Sequence, residues 1–253
     1  MDECNVMHRL YRIRAAVVAA FLFSGGLCPG SLWAGSFQVS PIRIELSAQQ
    51  ASDALKVQNN GSEPVVVQLQ TVEWSQENGL DVYQPSNDLV ATPPIFTMQP
   101  GASQIIRVGL MRAVDDKKEL SYRLFLQEVP SRPKADFKGL QVLLRVGLPV
   151  FVSPKAKASP VLHWRAERAD GDQVRVHLKN EGNAHIQVSD FKLSSPHKLE
   201  ATVQQVSTYV LPGQSRNWMV AADPAQRPGS DTVRIIANTD AGSVETEIKL
   251  DKP

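Results

Sequence analysis

Four histidines, His163, His177, His185 and His197, fall in the second half of a 253-residue chain. Imidazole is the side chain best suited to proton transfer or metal binding near neutral pH. Their spacing suits neither chemistry, since no HxxxH pair occurs and none stands in a His–Cys cluster. His163 and His177 fall in strand-like runs and read as surface or edge residues. No GxSxG, phosphate-loop or GxGxxG sequence is present, so nucleophilic and nucleotide chemistry lack their usual frames. The run Asp115-Asp116-Lys117-Lys118-Glu119 reads as a solvated loop and not as an acid–base pair. Met98, Met111 and Met219 are isolated and read as core filler. Trp74, Trp164 and Trp218 come one to a strand, as ordinary sandwich core does. No catalytic, cofactor or metal residue is expected.

The residues that do stand out are apolar. Residues 139–152, GLQVLLRVGLPVFV, place Leu140, Val142, Leu144, Val146, Leu148 and Val150 on one side at period two. The polar loop SRPKADFKG introduces them. A strand about twice the usual ~5–6 residues must bury that row against its own sheet or offer it to another molecule.

The elements around this row are strands and turns. SFQVSPIRIEL alternates, with Ile42, Ile44 and Leu46 on one face, and SYRLFLQEVP groups Tyr122, Leu124 and Leu126 opposite Arg123, Phe125 and Gln127. Asn59-Asn60-Gly61, Asn78-Gly79 and Pro100-Gly101 separate the runs as turn signals. After the proline-flanked 154–160 stretch, Glu181-Gly182-Asn183, Pro212-Gly213 and Asp240-Ala241-Gly242 do the same, and VHLKNEGNAHIQV echoes LKVQNNGSEPVVVQL. No amphipathic helix is evident. The fold class is therefore all-β: two immunoglobulin-like β-sandwich domains joined by a short elbow.

Met1–Arg14 is basic, residues 15–27 are apolar but too short to span a bilayer, and small residues follow at Ala34-Gly35-Ser36. This is the layout of a secretory signal peptide, with cleavage after Ala34 or Ser36. Both cysteines, Cys4 and Cys28, lie within it, so the exported chain has no disulfide. Losing residues 1–34 removes three arginines, one aspartate and one glutamate, leaving 24 basic and 24 acidic residues. No charge block points to nucleic acid. The expected organisation is a signal peptide at 1–36, a first domain at 37–154, a hinge at 155–160 and a second domain at 161–253.

In this order, VSPIRIEL, TPPIFTMQPGASQIIRVGL, YRLFLQEVP and LQVLLRVGLPVF resemble the periplasmic chaperones of chaperone–usher pili. The resemblance covers about residues 37–250, and IELSA, EWSQ and LPVFV are similar to its archaic, or sigma-type, branch. It implies a periplasmic protein that caps pilus subunits and delivers them to an outer-membrane usher. Its donor strand would insert Leu140, Val142, Leu144 and Val146 into a subunit lacking its last strand. An exposed strand of this kind is an aggregation hazard, so the free protein should cap it by self-association or loop collapse. The resemblance also implies a two-point cationic site for the subunit's C-terminal carboxylate. Arg43 matches one point, with a surface pair to Glu45 or Glu73 as the alternative. Pro149 stands where the family's lysine falls, leaving Arg107, Arg123 or Arg145 for the second. Glu128 matches the acidic member of the family's interdomain ion pair, whereas Ser153 replaces its usual arginine. A secreted carbohydrate-binding or adhesive protein is the rival, and aromatic residues displayed on one sheet would favour it.

Overall fold

The computed structural model describes residues 37–130, 141–170, 173–194, 202–221 and 232–251. Residues 1–36, where a signal peptide is expected, and Leu140 lie outside them. All regular elements among the described residues are strands. The first ten are β1 (Phe37–Ser40), β2 (Ile44–Leu46), β3 (Ser52–Asn59), β4 (Val65–Glu77), β5 (Leu80–Pro85), β6 (Leu89–Thr92), β7 (Ile95–Met98), β8 (Ser103–Leu110), β9 (Leu120–Val129) and β10 (Arg145–Val152). Seven follow: β11 (Leu162–Ala169), β12 (Gln173–Asn180), β13 (Ile186–Ser194), β14 (Thr202–Val210), β15 (Ser215–Ala221), β16 (Thr232–Thr239) and β17 (Gly242–Asp251).

The first ten form two sheets, ordered β1-β3-β8-β6 and β2-β10-β9-β4-β5, with β7 also paired to β4. Alternation puts Leu55, Val57, Ile106 and Val108 of one sheet against Val67, Leu69, Leu124 and Leu126 of the other in one buried core. The opening run serves both sheets. β1 pairs antiparallel with β3, the chain crosses over after a cis Ser40–Pro41 bond, and β2 runs parallel to β10. The crossing breaks the expected alternation: Ile44 and Leu46 are buried, but Ile42 is 74% exposed.

The remaining strands form one sheet, β14-β13-β16-β17-β11-β12-β15, which folds over a second core around Trp164, Phe191 and Leu178. β11 and β17 meet through only Ala166–Leu250 and Glu167–Asp251, at the fold line. The sequence echo has a structural counterpart. Asn59 and Asn180 are both fully buried. Asn59 Nδ2 donates to the Glu63 and Met98 carbonyls, while Asn180 Nδ2 donates to those of Ala184 and Val210. Each Oδ1 accepts the N–H two residues on, from Gly61 and Gly182. Each backbone carbonyl accepts a glycine N–H, from Gly101 and Gly213, and both glycines lie near φ +75°.

The segment between the sandwiches is stitched to both. Ser153 N–H donates to the Leu46 carbonyl, and Lys155 and Ala156 donate to Asp115 and Asp116. Further along, Asn183 N–H donates to Ser159 and Glu181 N–H to Val161. The β4–β5 hairpin turns at Asn78 and Gly79, both at positive φ, and reaches the second sandwich. There Gln76 Nε2 donates to the Tyr209 carbonyl at 3.0 Å and its Oε1 accepts the Leu211 N–H at 3.1 Å. Arg216 of β15 closes the contact on the Gly79 carbonyl and Asp81.

Candidate functional site

β10 has two unlike ends. Along its whole length it pairs antiparallel with β9, from Arg145–Gln127 to Val152–Leu120. On its other side β2 covers only Val150–Val152. From Arg145 to Pro149 that side faces no strand among the described residues. The strand is eight residues long, shorter than the run of alternation suggests. Gln141–Leu144 lie outside regular pairing, tied by the Glu128 N–H to the Leu144 carbonyl at 2.9 Å and by the Leu144 N–H to Glu128 Oε2 at 3.2 Å.

Burial follows the same division. Leu148 and Val150 are buried in the first core, Val146 and Leu144 are half-buried at its margin, and Val142 is 79% exposed. The apolar row therefore starts inside its own sandwich and runs out of it. On the opposite face Phe125 lies over Gly147, where an added Cβ would come within 2.8 Å of the ring. Arg145 caps that ring with its guanidinium 4.0 Å from the centroid, and Tyr83 meets it edge-on.

The four candidate arginines occupy different places. Arg107 stands on β8 of the four-stranded sheet, exposed and paired across to Ala54 and Thr92. Arg145 is exposed on the outer face of β10. Arg43 and Arg123 approach one another around Tyr209 at the junction of the sandwiches. Arg43 Nη2 contacts Glu45 Oε1 at 3.0 Å, the alternative expected from sequence, and Nη1 contacts Asp240 Oδ2 at 2.8 Å. Burial opposes its charge, and these two carboxylates outweigh burial. Arg123 sits directly across from Pro149. Its guanidinium lies 4.0 Å from the Trp74 centroid and 5.7 Å from that of Tyr209, and Nη1 donates to the Gly147 carbonyl at 3.3 Å. Its buried Nε has no hydrogen-bond partner among the described residues. Burial raises the Tyr209 phenol, while Arg43 and Arg123 both pull it back.

Sequence inspection misses the residues that build this junction. Glu119, at the end of the supposedly solvated run, is buried, and Oε1 accepts the His185 backbone N–H at 3.0 Å. His185 Nδ1 lies 2.8 and 3.0 Å from the two Glu119 oxygens, and Nε2 lies 3.7 Å from Asp240 Oδ2. The last separation is a charge contact, too long for a hydrogen bond. The imidazole stacks on Phe151 with centroids 3.4 Å apart. Trp74, Phe151 and Leu211 form a small apolar cluster with Tyr209 beside them. Interdomain ionic contacts among the described residues include Glu119–His185, Arg43–Asp240 and Arg216–Asp81, while Glu128 Oε2 accepts the Leu144 N–H.

Trp74 and Trp164 are 3% and 8% exposed and Trp218 packs on the second core, so among the described residues none of these three forms the displayed aromatic face that would favour a sugar-binding protein. Of Met98, Met111 and Met219, only Met98 fills core. Met111 follows the end of β8 and Met219 faces outward from β15, both exposed. A groove of about 430 Å³ on the second sandwich is lined by His163, His177, Lys179 and Glu181. Its charges pair internally, through His163–Glu181 at 3.1 Å and Lys179–Glu181 at 2.7 Å.

The chain thus forms two immunoglobulin-like sandwiches, with the last strand of the first half-uncovered on one side among the described residues. Residues 36–158 match the family of pili and flagellar-assembly chaperones, PapD N-terminal domain. Over these residues the chain belongs to that family, and the protein is a chaperone of the chaperone–usher pilus class. Its fold is similar to a chain of the CsuC–CsuE chaperone–tip adhesion subunit pre-assembly complex from the archaic Csu pili of Acinetobacter baumannii. That match has 24% identity, covers 87% of this chain and 100% of the other, and has a TM-score of 0.62. The E. coli chaperone DraB matches at 21% identity over 85% and 97% of the two chains, with a TM-score of 0.58. A chain of the Salmonella enterica SafA pilin–SafB chaperone complex matches at 15% identity over 86% and 97%, also at 0.58. No curated protein matches the sequence.

Proposed function

We propose that this chaperone holds an unfinished β-sandwich pilus subunit by adding the open edge of β10 to it. Leu140, Val142, Leu144 and Val146 would enter the subunit's apolar groove, and Arg43 with Arg123 would receive its C-terminal carboxylate. Capture takes place in the periplasm, after signal cleavage near residues 34–36, and precedes delivery to an outer-membrane usher. The free chaperone covers the same edge by self-association.

The observation that carries this reading is the outward gradient along and just ahead of β10, from buried Leu148 to Val142 at 79% exposure, on a side with no strand partner before Val150 among the described residues. Each large apolar side chain fully buried by a guest contributes roughly 1.5–3 kcal/mol, so four contribute about 6–12 kcal/mol before the cost of association. Arg123 is the better second cation because it lies opposite Pro149, in the cleft shared with Arg43. Its planar fork suits a carboxylate.

Pull-down of co-expressed pilus subunits tests the reading. Val142→Glu should abolish capture with little change in thermal stability, because Val142 packs mainly against solvent. Leu144→Glu should also abolish capture, at some cost to the core margin. Arg43→Ala and Arg123→Ala should each weaken capture by about 2 kcal/mol or more. Capture that survives both glutamate substitutions would assign the groove-filling residues elsewhere.

A further inference from the structure

Arg43 is held by a chain of contacts that begins in the other sandwich. Asp240 Oδ2 accepts from Arg43 Nη1 at 2.8 Å, and Oδ1 accepts the Gln187 N–H at 2.9 Å. The Asp240 N–H in turn donates to the Gln187 carbonyl at 3.1 Å, so the carboxylate is fixed to the edge of β13. Beyond Asp240 stands His185, with a carboxylate facing each ring nitrogen: Glu119 at Nδ1 and Asp240 at Nε2. A neutral imidazole has one N–H and one lone pair. Whichever nitrogen carried the proton, the other would aim its lone pair at a carboxylate oxygen. The imidazolium presents positive charge to both, hydrogen-bonded to Glu119 and in charge contact with Asp240.

We propose that Asp240 is a positioning residue for the carboxylate-receiving Arg43, and that protonation of His185 sets how much of the Arg43 charge is left for a guest. This rests on the reading of Arg43 and Arg123 as the carboxylate site. With His185 protonated, Asp240 is shared between two cations. Arg43, Arg123 and His185 then balance Glu119, Asp240 and the more exposed Glu45, which contacts Arg43 at 3.0 Å. With His185 neutral, the cluster is left with one negative charge in excess and Asp240 belongs to Arg43 alone. Tyr209, with its ring 5.7 Å from that of His185, stays uncharged because burial raises its phenol. Loss of the proton must therefore weaken carboxylate capture. Linkage requires the converse as well: a captured carboxylate holds the proton on His185 more tightly.

The test uses the full mature chain and two strand peptides of identical alternating Val/Thr sequence, one ending in a free carboxylate and one in an amide. Affinities are measured at about pH 5.5 and about pH 8.5, on either side of the usual imidazole range. The His185 ring signal is followed by NMR. The free-carboxylate peptide should bind about five- to tenfold more weakly at the higher pH, the amide peptide should show no such change, and the carboxylate should raise the His185 titration midpoint. His185→Gln should hold carboxylate binding at the weaker level across the range. Asp240→Asn should weaken it although an anion has been removed, which a purely electrostatic role would reverse. A flat carboxylate profile, a His185 midpoint below the usual imidazole value, or tighter binding by Asp240→Asn overturns the proposal. If the peptides bind equally at both pH values while His185 titrates high, the carboxylate site itself is misassigned, a distinct result. The NMR midpoint decides the protonation step even where His185→Gln fails to fold.

Discussion

Asn59 and Asn180 show how much one buried amide can organise. Each ties a turn to the strand after it, to a distant carbonyl and to a Pro-Gly corner, the same set of contacts in both sandwiches. Asn180→Ala would strip the Ala184 and Val210 carbonyls and the Gly182 N–H of their partner at a fully buried site. Stranded buried groups cost about 1–3 kcal/mol each where water cannot reach them. Chemical denaturation should therefore show a loss of about 2–4 kcal/mol, and a loss below about 0.5 kcal/mol would mean that water replaces the amide. The turn signals here were legible because an Asn-Gly or Pro-Gly pair acts within a few residues. Glu119, His185 and Asp240 were not. Glu119 and His185 are 66 residues apart, Arg43 and Asp240 are 197 apart, and none carries a local pattern. Their roles arise only when two sandwiches bring unrelated turns together.

At the scale of an element, β10 separates what alternation can state from what pairing decides. Period-two apolarity marks a strand-competent row through residues 140–152, and its covered end was legible. The ladder between β10 and β9 ends at Arg145–Gln127 although β9 runs on to Val129. Upstream of Arg145 only Leu144 is tied to β9, through Glu128, so among the described residues the row continues without regular pairing. Ile42 failed for a related reason: alternation presumes one sheet, and the chain changes sheets between β1 and β2. Gly147 is the close-packed point of β10, with Phe125 over it and Arg145 over Phe125. Gly147→Ala should push the ring aside, cost about 1–3 kcal/mol by overpacking, and weaken subunit capture by shifting the open edge. Thermal unfolding and pull-down read these two effects separately, and an unchanged midpoint would show that Phe125 gives way freely.

For the whole molecule, the titrating groups at the junction predict when the sandwiches are locked together most firmly. Burial opposes protonation of His185, but Asp240 and Glu119 outweigh it, so its pKa is raised above the ordinary 6.5. A raised base stabilises fully below its unfolded value, and the contribution disappears as pH climbs through the folded one. Burial would raise the Asp240 carboxyl, yet His185, the Gln187 N–H and Arg43 draw it from 3.8 down to about 2. Its contribution is present above 3.8 and is lost as pH falls through about 2. Both therefore act together in weakly acidic solution, above the carboxylate range and below the imidazole one. Asp240 adds at most about 2 kcal/mol, nearer 1 once its partial solvation is allowed for. Thermal unfolding should show a maximum in that window and a decline on each side. In His185→Gln the decline toward alkaline pH should flatten, because the group that loses its proton there is gone, and the acid limb should become shallower as Asp240 loses a cation. An alkaline decline of unchanged slope in that variant would place the responsible proton on another group and leave His185 neutral in the folded protein.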